Sequence, residues 1–301
     1  MISSNQTCIP GRHITKNLHI LQDLIDKINR DDEQAAIIFL DQEKAFDRMS
    51  HTFIIKTLRH FGFGENFIDW IKIIYNDCTA RVKINGFVSN SFSINRGVRQ
   101  GCPLSSLLYV LCAEVLCLEI NQNSGIVGIN FGDIFHKDLE FADDMSITLS
   151  NLESLDTLFD ILLRYEKATN AKINVDKTVA LWVGKWKNRA DKPHNLKWTN
   201  KVVKALGVYI GNDREEAAKL TFEDIKEKIR NKLKYWGGKG ISLKGRVRVL
   251  NTYVLTKLWY ACEIHDIPNE IKNEINKMIQ NFLWKGKYHQ KVIGGFGRGI
   301  S

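Results

Sequence analysis

Apolar residues recur at helical spacing through ITKNLHILQDLIDKINR, residues 14–30, which predicts a helix closed by Asp31 and Asp32. AAIIFLD, residues 35–41, is instead a short unbroken apolar run ending on a carboxylate. That is the pattern of a buried strand, with Asp41 at its end where side chains meet a cleft. Residues 51–77 read as two helices interrupted between Gly62 and Gly64, and residues 79–97 alternate as strands joined at Asn85-Gly86, a strong hairpin signal. PLSSLLYVLCAEVLCLEI, residues 103–120, predicts a mostly apolar helix opened by Pro103. LEFADDMSITLS, residues 139–150, reads as strand, tight turn, strand, with Asp143 and Asp144 at the tip. Residues 152–169 predict an amphipathic helix and residues 172–184 a further strand. From about residue 214 the pattern is helical throughout, and a boundary falls near residue 211.

Charge divides the chain along the same line. Residues 1–180 carry 18 Lys and Arg against 23 Asp and Glu, whereas residues 181–301 carry 25 against 11. Trp182, Trp186, Trp198, Trp236, Trp259 and Trp284 are interleaved in the basic part. This fits either a nucleic-acid footprint, in which cations meet phosphates and aromatics stack on bases, or a solvated basic surface over core tryptophans. The six cysteines show no CxxC and no cysteine-histidine cluster, which argues against a disulfide framework or structural zinc. Cys112 and Cys117, on the apolar helix, are expected in the core. With no uninterrupted apolar run of about 18 residues and no signal-like start, a soluble intracellular protein is expected, without a membrane partner.

Asp41, Asp143 and Asp144 are the candidate chemistry. Clustered carboxylates repel and raise one another's pKa, so a cluster in a cleft asks for a hard divalent cation with oxygen ligands. An Asp-Asp pair in a turn, taken alone, is usually just solvated turn chemistry.

The company these residues keep decides between the two. LDQEKAFDRMSH (40–51), GVRQGCPLSSLLY (97–109), FADD (141–144), INVDKT (173–178) and KALGVYIG (204–211) follow the order of the reverse transcriptase motifs. They closely resemble those of LINE-type, non-LTR retrotransposons, and the likeness runs from about residue 11 to about residue 287. The resemblance implies an α+β fold: a right-hand polymerase palm, an antiparallel sheet backed by helices, with partial fingers and an α-helical thumb. Expected boundaries are residues 1–34 for partial fingers and entry helix, 35–211 for the palm and 212–301 for a basic, incomplete thumb-like region.

By the same resemblance Asp41, Asp143 and Asp144 are the metal-binding aspartates, with Asp144 the lesser ligand, and hold two Mg²⁺ ions, or Mn²⁺ in their place. Phe46 matches the bulky residue that screens the sugar 2′ position. Arg99, Gln100, Gly101 and Pro103 match the loop against the incoming nucleotide and template, and Phe141 and Ala142 line the substrate side of FADD. Lys177 stands where the family places a lysine near the triphosphate. Leu206 and Gly207 match the primer grip, while Lys44 and Asp47 are assigned structural roles.

The implied function is RNA-directed DNA polymerisation: extension of a DNA 3′-hydroxyl on an RNA template by two-metal nucleotidyl transfer. Partners are an RNA template, a DNA primer or target and dNTPs, acting in nucleus, cytoplasm or both. The remaining fingers and an endonuclease are expected in a full-length element of which this chain is a piece. The alternative is a catalytically inactive nucleic-acid-binding remnant. A generic palm-type cyclase or primase accounts for the aspartates but not for RQGCPLS.

Overall fold

The computed structural model describes residues 13–132, 134–141 and 144–284. It is mixed α and β, as expected, and divides after Leu206 into two compact units.

The first unit begins with α1 (Ile14–Arg30), β1 (Gln34–Leu40), α2 (Ala45–Arg48), α3 (His51–His60) and α4 (Glu65–Tyr75). Four two-residue strands follow: β2 (Thr79–Ala80), β3 (Lys83–Ile84), β4 (Phe87–Val88) and β5 (Phe92–Ser93). Next come α5 (Pro103–Gln122), β6 (Ile129–Phe131), β7 (Ile134–His136), β8 (Asp138–Phe141), β9 (Asp144–Leu149) and α6 (Glu153–Thr169). The unit closes with β10 (Val179–Gly184), β11 (Lys197–Thr199) and β12 (Val202–Ala205).

Five strands form the central sheet in the order β11-β10-β1-β9-β8. All neighbours are antiparallel except β10 and β11. β1 is central because nearly every residue is apolar and both faces are covered, as its unbroken run requires. Ala36, Ile38 and Leu40 pack with Met145, Ile147 and Leu149 of β9 against Leu116, Cys117 and Ile120 of α5 and Leu158, Ile161 and Leu162 of α6. Strand side chains alternate, so Ile37, Phe39 and then Asp41 belong to the opposite face, where α1 brings Asn17 and Leu21 beside Phe39 and Ser146.

α5 opens with Pro103 at its first turn and is long and apolar enough to cross a bilayer by length and composition. It is nevertheless packed on both sides. Leu116, Cys117 and Ile120 meet the sheet, and Leu108, Tyr109, Cys112 and Ala113 meet Ile54 and Leu58 of α3 and Ile68 and Ile71 of α4.

The second unit holds β13 (Val208–Gly211), α7 (Arg214–Gly237), α8 (Leu243–Leu250), α9 (Thr256–Cys262) and α10 (Asn269–Trp284). Asp213 and Ser242 cap α7 and α8 by accepting from the Glu216 and Gly245 amides at 2.9 and 3.3 Å. A π-helical stretch, Asn251–Leu255, joins α8 to α9. Phe222, Ile229, Val254 and Ile275 are among its buried core. Lys226 of α7 bridges to Glu223 and across to Glu274 of α10, and buried Arg246 donates to the Phe282 and Leu283 carbonyls, tying α8 to the end of α10.

Two sequence expectations shift. Residues 172–178 form a turn rather than strand, because Lys177 and Thr178 donate their amides back to the Asn174 carbonyl at 3.1 and 2.8 Å, so β10 begins only at Val179. The tryptophans do not act as one set. Trp182 and Trp186 are buried, and Trp198 stacks on Trp182 at 3.6 Å, so these three are core aromatics. Trp259 and Trp284 stay exposed.

Candidate active site

β1 and β9 bring two of the predicted carboxylates to one place. Leu40 pairs with Met145, so one residue further along each ladder Asp41 faces Asp144 across the strands. Both fall on the face turned away from α5, because Leu40 and Met145 occupy the buried one. The hairpin supplies the second link: Phe141 of β8 pairs with Asp144 of β9. Ala142, Asp143 and the side chain of Phe141 lie outside the described residues.

Asp41 is held at its backbone from both sides. Its amide donates to Thr178 Oγ1 at 3.3 Å, and its carbonyl accepts from the Asn174 amide at 2.8 Å. Thr178 is fully buried, and its hydroxyl donates to the Asn174 carbonyl at 2.9 Å. The INVDKT segment is thereby fastened behind Asp41, with exposed Lys177 on the same turn. The signal for this in the sequence is Asn174 and Thr178 flanking Asp176 and Lys177, residues that build turns through their side chains.

Phe46, on the single-turn α2, stacks on Tyr109 of α5 with ring centroids 4.5 Å apart and planes 18° apart. Tyr109 in turn donates to Gln42 Oε1 at 3.1 Å, so one aromatic pair connects the Asp41 strand end to α5. Gln100 donates to Asp47 Oδ1 at 3.3 Å. The chain leading into that loop is pinned at Gly97, whose amide donates to the Met49 carbonyl at 2.7 Å, and at Val98, whose amide donates to the Phe46 carbonyl at 2.8 Å. Gly97 and Gly101 both have positive φ, 91° and 82°. At Gly97 a Cβ would lie 2.7 Å from the Asp47 carbonyl oxygen, so glycine is required there twice over. Arg99, Gln100, Gly101 and Pro103 are all exposed.

Cys102 caps α5, and the Leu104 amide, followed by the Ser105 side chain and amide, holds its thiol below the usual range. Leu206 and Gly207 form a turn with φ of 48° and 90°. Leu206 and Lys204 line one cleft with Asn17, Phe39, Asp144 and Ser146. Lys204, which sequence reasoning left unassigned, is therefore the cation of KALG that shares this cleft with a predicted carboxylate.

A second acidic group lies behind the sheet. Cys117 of α5 and Asp138 and Glu140 of β8 place ligand-type atoms within 4.8 Å of one another, all buried, with Glu114 also buried on α5. Burial, then the Asp138 side chain, push the Glu140 carboxyl up to about 10. Burial likewise raises the Cys117 thiol well above its ordinary value. The Glu140 carboxyl and the Cys117 thiol retain their protons at neutral pH, and a cation would have to displace them. They sit on the face opposite Asp41 and Asp144, since Asp138 pairs with Ile147 and Glu140 with Met145.

An antiparallel sheet backed by helices, presenting paired strand-end carboxylates beside a glycine-anchored helix start, defines a polymerase-palm fold. The reverse transcriptase (RNA-dependent DNA polymerase) family matches residues 2–210, and the chain belongs to it. Its relatives place it with the non-LTR retrotransposon type. It is 33% identical over 285 residues to the transposon TX1 uncharacterized 149 kDa protein of Xenopus laevis, covering 93% of this chain and 22% of that one. It is 24% identical over 261 residues to the Pol polyprotein of type-2 retrotransposable element R2DM of Drosophila melanogaster, covering 81% of this chain and 24% of that one. The chain thus spans less than a quarter of the length of these two relatives. In fold it is similar to telomerase from Candida tropicalis, solved in complex with a TWJ fragment of telomeric RNA. That likeness has a TM-score of 0.50 and 12% identity, over 96% of this chain and 52% of that one.

Proposed function

We propose that this chain is the polymerase module of a non-LTR retrotransposon reverse transcriptase, extending a DNA 3′-hydroxyl on an RNA template. The observation that carries the reading is the register of β1 on β9, which sets Asp41 opposite Asp144 at the strand ends, on the face of the sheet that α1 packs against. Two like charges so placed repel each other, and their all-oxygen donor set suits a hard divalent ion.

Asp41, Asp143 and Asp144 are the proposed ligands of two Mg²⁺ ions, replaceable by Mn²⁺. Bound there, the ions supply Lewis-acid activation of the primer hydroxyl and neutralise charge on the leaving pyrophosphate. The rest of the work belongs to the chain. Thr178 and Asn174 fix the Asp41 backbone, so its carboxylate needs little reorganisation when substrate arrives. Phe46, braced by Tyr109, walls off the sugar 2′ position and favours deoxynucleotides. Arg99, Gln100, Gly101 and Pro103 meet the incoming nucleotide and template, and Phe141 and Ala142 border the same space. Lys177 donates charge or a proton to the leaving group, and Leu206 with Gly207 grips the primer strand.

In this reading residues 35–211 are the palm, residues 212–301 the thumb that holds template-primer duplex through its phosphates, and residues 1–34 the entry helix and part of the fingers. Partners are an RNA template, a DNA primer or target and dNTPs, and a target in chromosomal DNA takes the enzyme to the nucleus. Primer extension on an RNA template by the wild type and by Asp143→Ala tests the assignment. Metal-dependent extension abolished by the substitution supports it. Retained template-primer binding without extension by either protein assigns the chain to nucleic-acid binding alone.

A further inference from the structure

Asp41 and Gln42 are chain neighbours that face opposite ways. Strand side chains alternate, so where Asp41 belongs to the α1 side, Gln42 turns towards α5 and is buried there. Its backbone is held by an isolated bridge to Ile173, and the next amide, that of Glu43, donates to the Lys172 carbonyl at 2.8 Å. Gln42 Oε1 accepts from the Tyr109 hydroxyl at 3.1 Å, and both side chains are buried.

The other end of Tyr109 meets Phe46, ring against ring. Phe46 belongs to α2, a helix of four residues whose N-cap, Lys44, has φ of 50° and makes no side-chain cap bond. So short a helix does not hold its own shape. The place of the Phe46 ring is therefore set from outside: its carbonyl accepts from the Val98 amide, and the half-buried ring lies on Tyr109. Ala45 and Met49, on either side of it, are anchored in the same core cluster as Tyr109.

Packing accounts for the Tyr109 ring but not for its hydroxyl. A phenylalanine ring fills the same core, whereas a buried hydroxyl and a buried amide cost free energy unless they meet in one geometry. A satisfied buried bond is directional, and it fixes the tilt of a ring that apolar contact alone leaves free to slide. The hydroxyl is thus referenced to the residue after Asp41, and the ring to the residue that stands against the sugar.

We propose that Tyr109 and Gln42 are positioning residues for sugar selection. Their hydrogen bond locks the Tyr109 ring, and the ring holds Phe46 in fixed register with the Asp41 strand end, so that the wall excludes a 2′-hydroxyl instead of yielding to it. The inference rests on the polymerase reading above, with Phe46 as the wall, and adds what makes the wall stiff.

The test measures kcat and KM for insertion of one dCTP or one CTP onto a DNA primer annealed to an RNA template. It uses the full chain as wild type, Tyr109→Phe, Gln42→Met, Phe46→Ala and Phe46→Ala/Tyr109→Phe, with circular dichroism to show that each is folded. Tyr109→Phe and Gln42→Met should each lower the preference for dCTP over CTP about fivefold, from one lost bond, chiefly through a lower KM for CTP. Phe46→Ala should lower it further, and Tyr109→Phe should add nothing in that background, because both changes act on one path. A side chain that merely stabilises the fold moves both nucleotides alike. An unchanged preference in Tyr109→Phe therefore overturns the inference, and so does a fivefold loss that persists in the Phe46→Ala background. A second readout needs no catalysis: anisotropy of a fluorescent template-primer with a dideoxy-terminated primer, as dCTP or CTP is added. The wild type should be tightened more by dCTP than by CTP, and Tyr109→Phe should narrow the difference. That pattern without any extension by the wild type sinks the polymerase and leaves sugar selection standing. Extension by the wild type with one preference shared by wild type, Tyr109→Phe and Gln42→Met sinks the inference alone. Neither extension nor tightening by the wild type overturns both.

Discussion

Leu40 pairs with Met145, and this one contact between the middle strand and its neighbour sets Asp41 across from Asp144 at the strand ends, on the face that α1 packs against. Like charges opposite one another in adjacent strands cost roughly 0.2–1 kcal/mol, and a ligand that bridges them stabilises the fold by mass action. Asp41→Asn is therefore expected to melt slightly above the wild type in EDTA. Millimolar Mg²⁺ or Mn²⁺ should raise the wild-type Tm and leave the variant unmoved. Differential scanning fluorimetry in both conditions checks this, and an equal response of the two proteins to metal would count against a shared site.

Thr178 supports Asp41 without belonging to the proposed ligand set. Thr178→Val keeps the shape but removes the acceptor for the Asp41 amide and the donor to the Asn174 carbonyl. Each lost bond in a buried setting costs about 1 kcal/mol. The variant should lose about 1–2 kcal/mol in urea unfolding. Extension should fall about tenfold in kcat with little change in KM for dNTP. Thr178→Ser, which keeps the hydroxyl, should restore most of both.

Gly97 is placed where a methyl group would meet the Asp47 carbonyl oxygen at 2.7 Å, on a backbone with φ of 91°. Gly97→Ala should cost about 2 kcal/mol or more, from the close approach and the strained backbone together. Gly101 has a similar φ of 82° with open space around it, so Gly101→Ala should cost about 1 kcal/mol, the backbone part alone. Urea unfolding of the two variants measures the difference.

Glu140 gives the fold a pH dependence of definite sign. Burial, then its neighbour Asp138, raise its carboxyl from 4.5 to about 10 in the folded chain. The native state therefore holds a proton that the unfolded state releases above the ordinary carboxylate range. Its contribution is full below pH 4.5 and is lost progressively as pH rises towards 10. Glu140→Gln carries no proton to lose, and should exceed the wild type in stability by about 2–3 kcal/mol at neutral pH, with the gap closing in acid. Urea unfolding at several pH values measures it, and a gap that widened in acid would refute the assignment.

The cysteines should separate by reactivity. The Leu104 amide at the start of α5 lowers the Cys102 thiol, whereas burial pushes Cys112 up to about 12 and raises Cys262. Iodoacetamide labelling followed by peptide mass analysis should show Cys102 alkylated before Cys112. Its pH midpoint should lie below that of Cys262. Earlier labelling of Cys112 would contradict the placement of both residues.

Elements whose pattern is local were legible from the residues. The periodic apolar stripe of α1, the unbroken run of β1 and the alternation around FADD each name one structure and no other, and the fold has them at the expected positions. The aspartates were legible as a set through the ordered motifs around them, but their alignment was not. It depends on the register between strands far apart in sequence, which no local pattern encodes. α2 was missed because a single turn has no periodicity to read. Residues 172–178 were read as strand because their alternation is correct and only the side-chain and backbone bonds of Asn174 turn them away. The tryptophans show the limit of composition: Trp182 and Trp198 stack in the core, and nothing in their spacing separates them from exposed Trp259. Asp138 and Glu140 escaped notice because charged residues alternating with apolar ones normally mark a solvent face, and here that face is covered by α5.

The most direct test of the central claim is incorporation of one labelled dNTP onto a DNA primer annealed to an RNA template, by the wild type, Asp41→Asn and Asp144→Asn, with Mg²⁺ and with EDTA. The account predicts incorporation by the wild type in Mg²⁺ alone and a loss of about a hundredfold or more in each variant. Wild-type incorporation that Asp41→Asn leaves undiminished would contradict it.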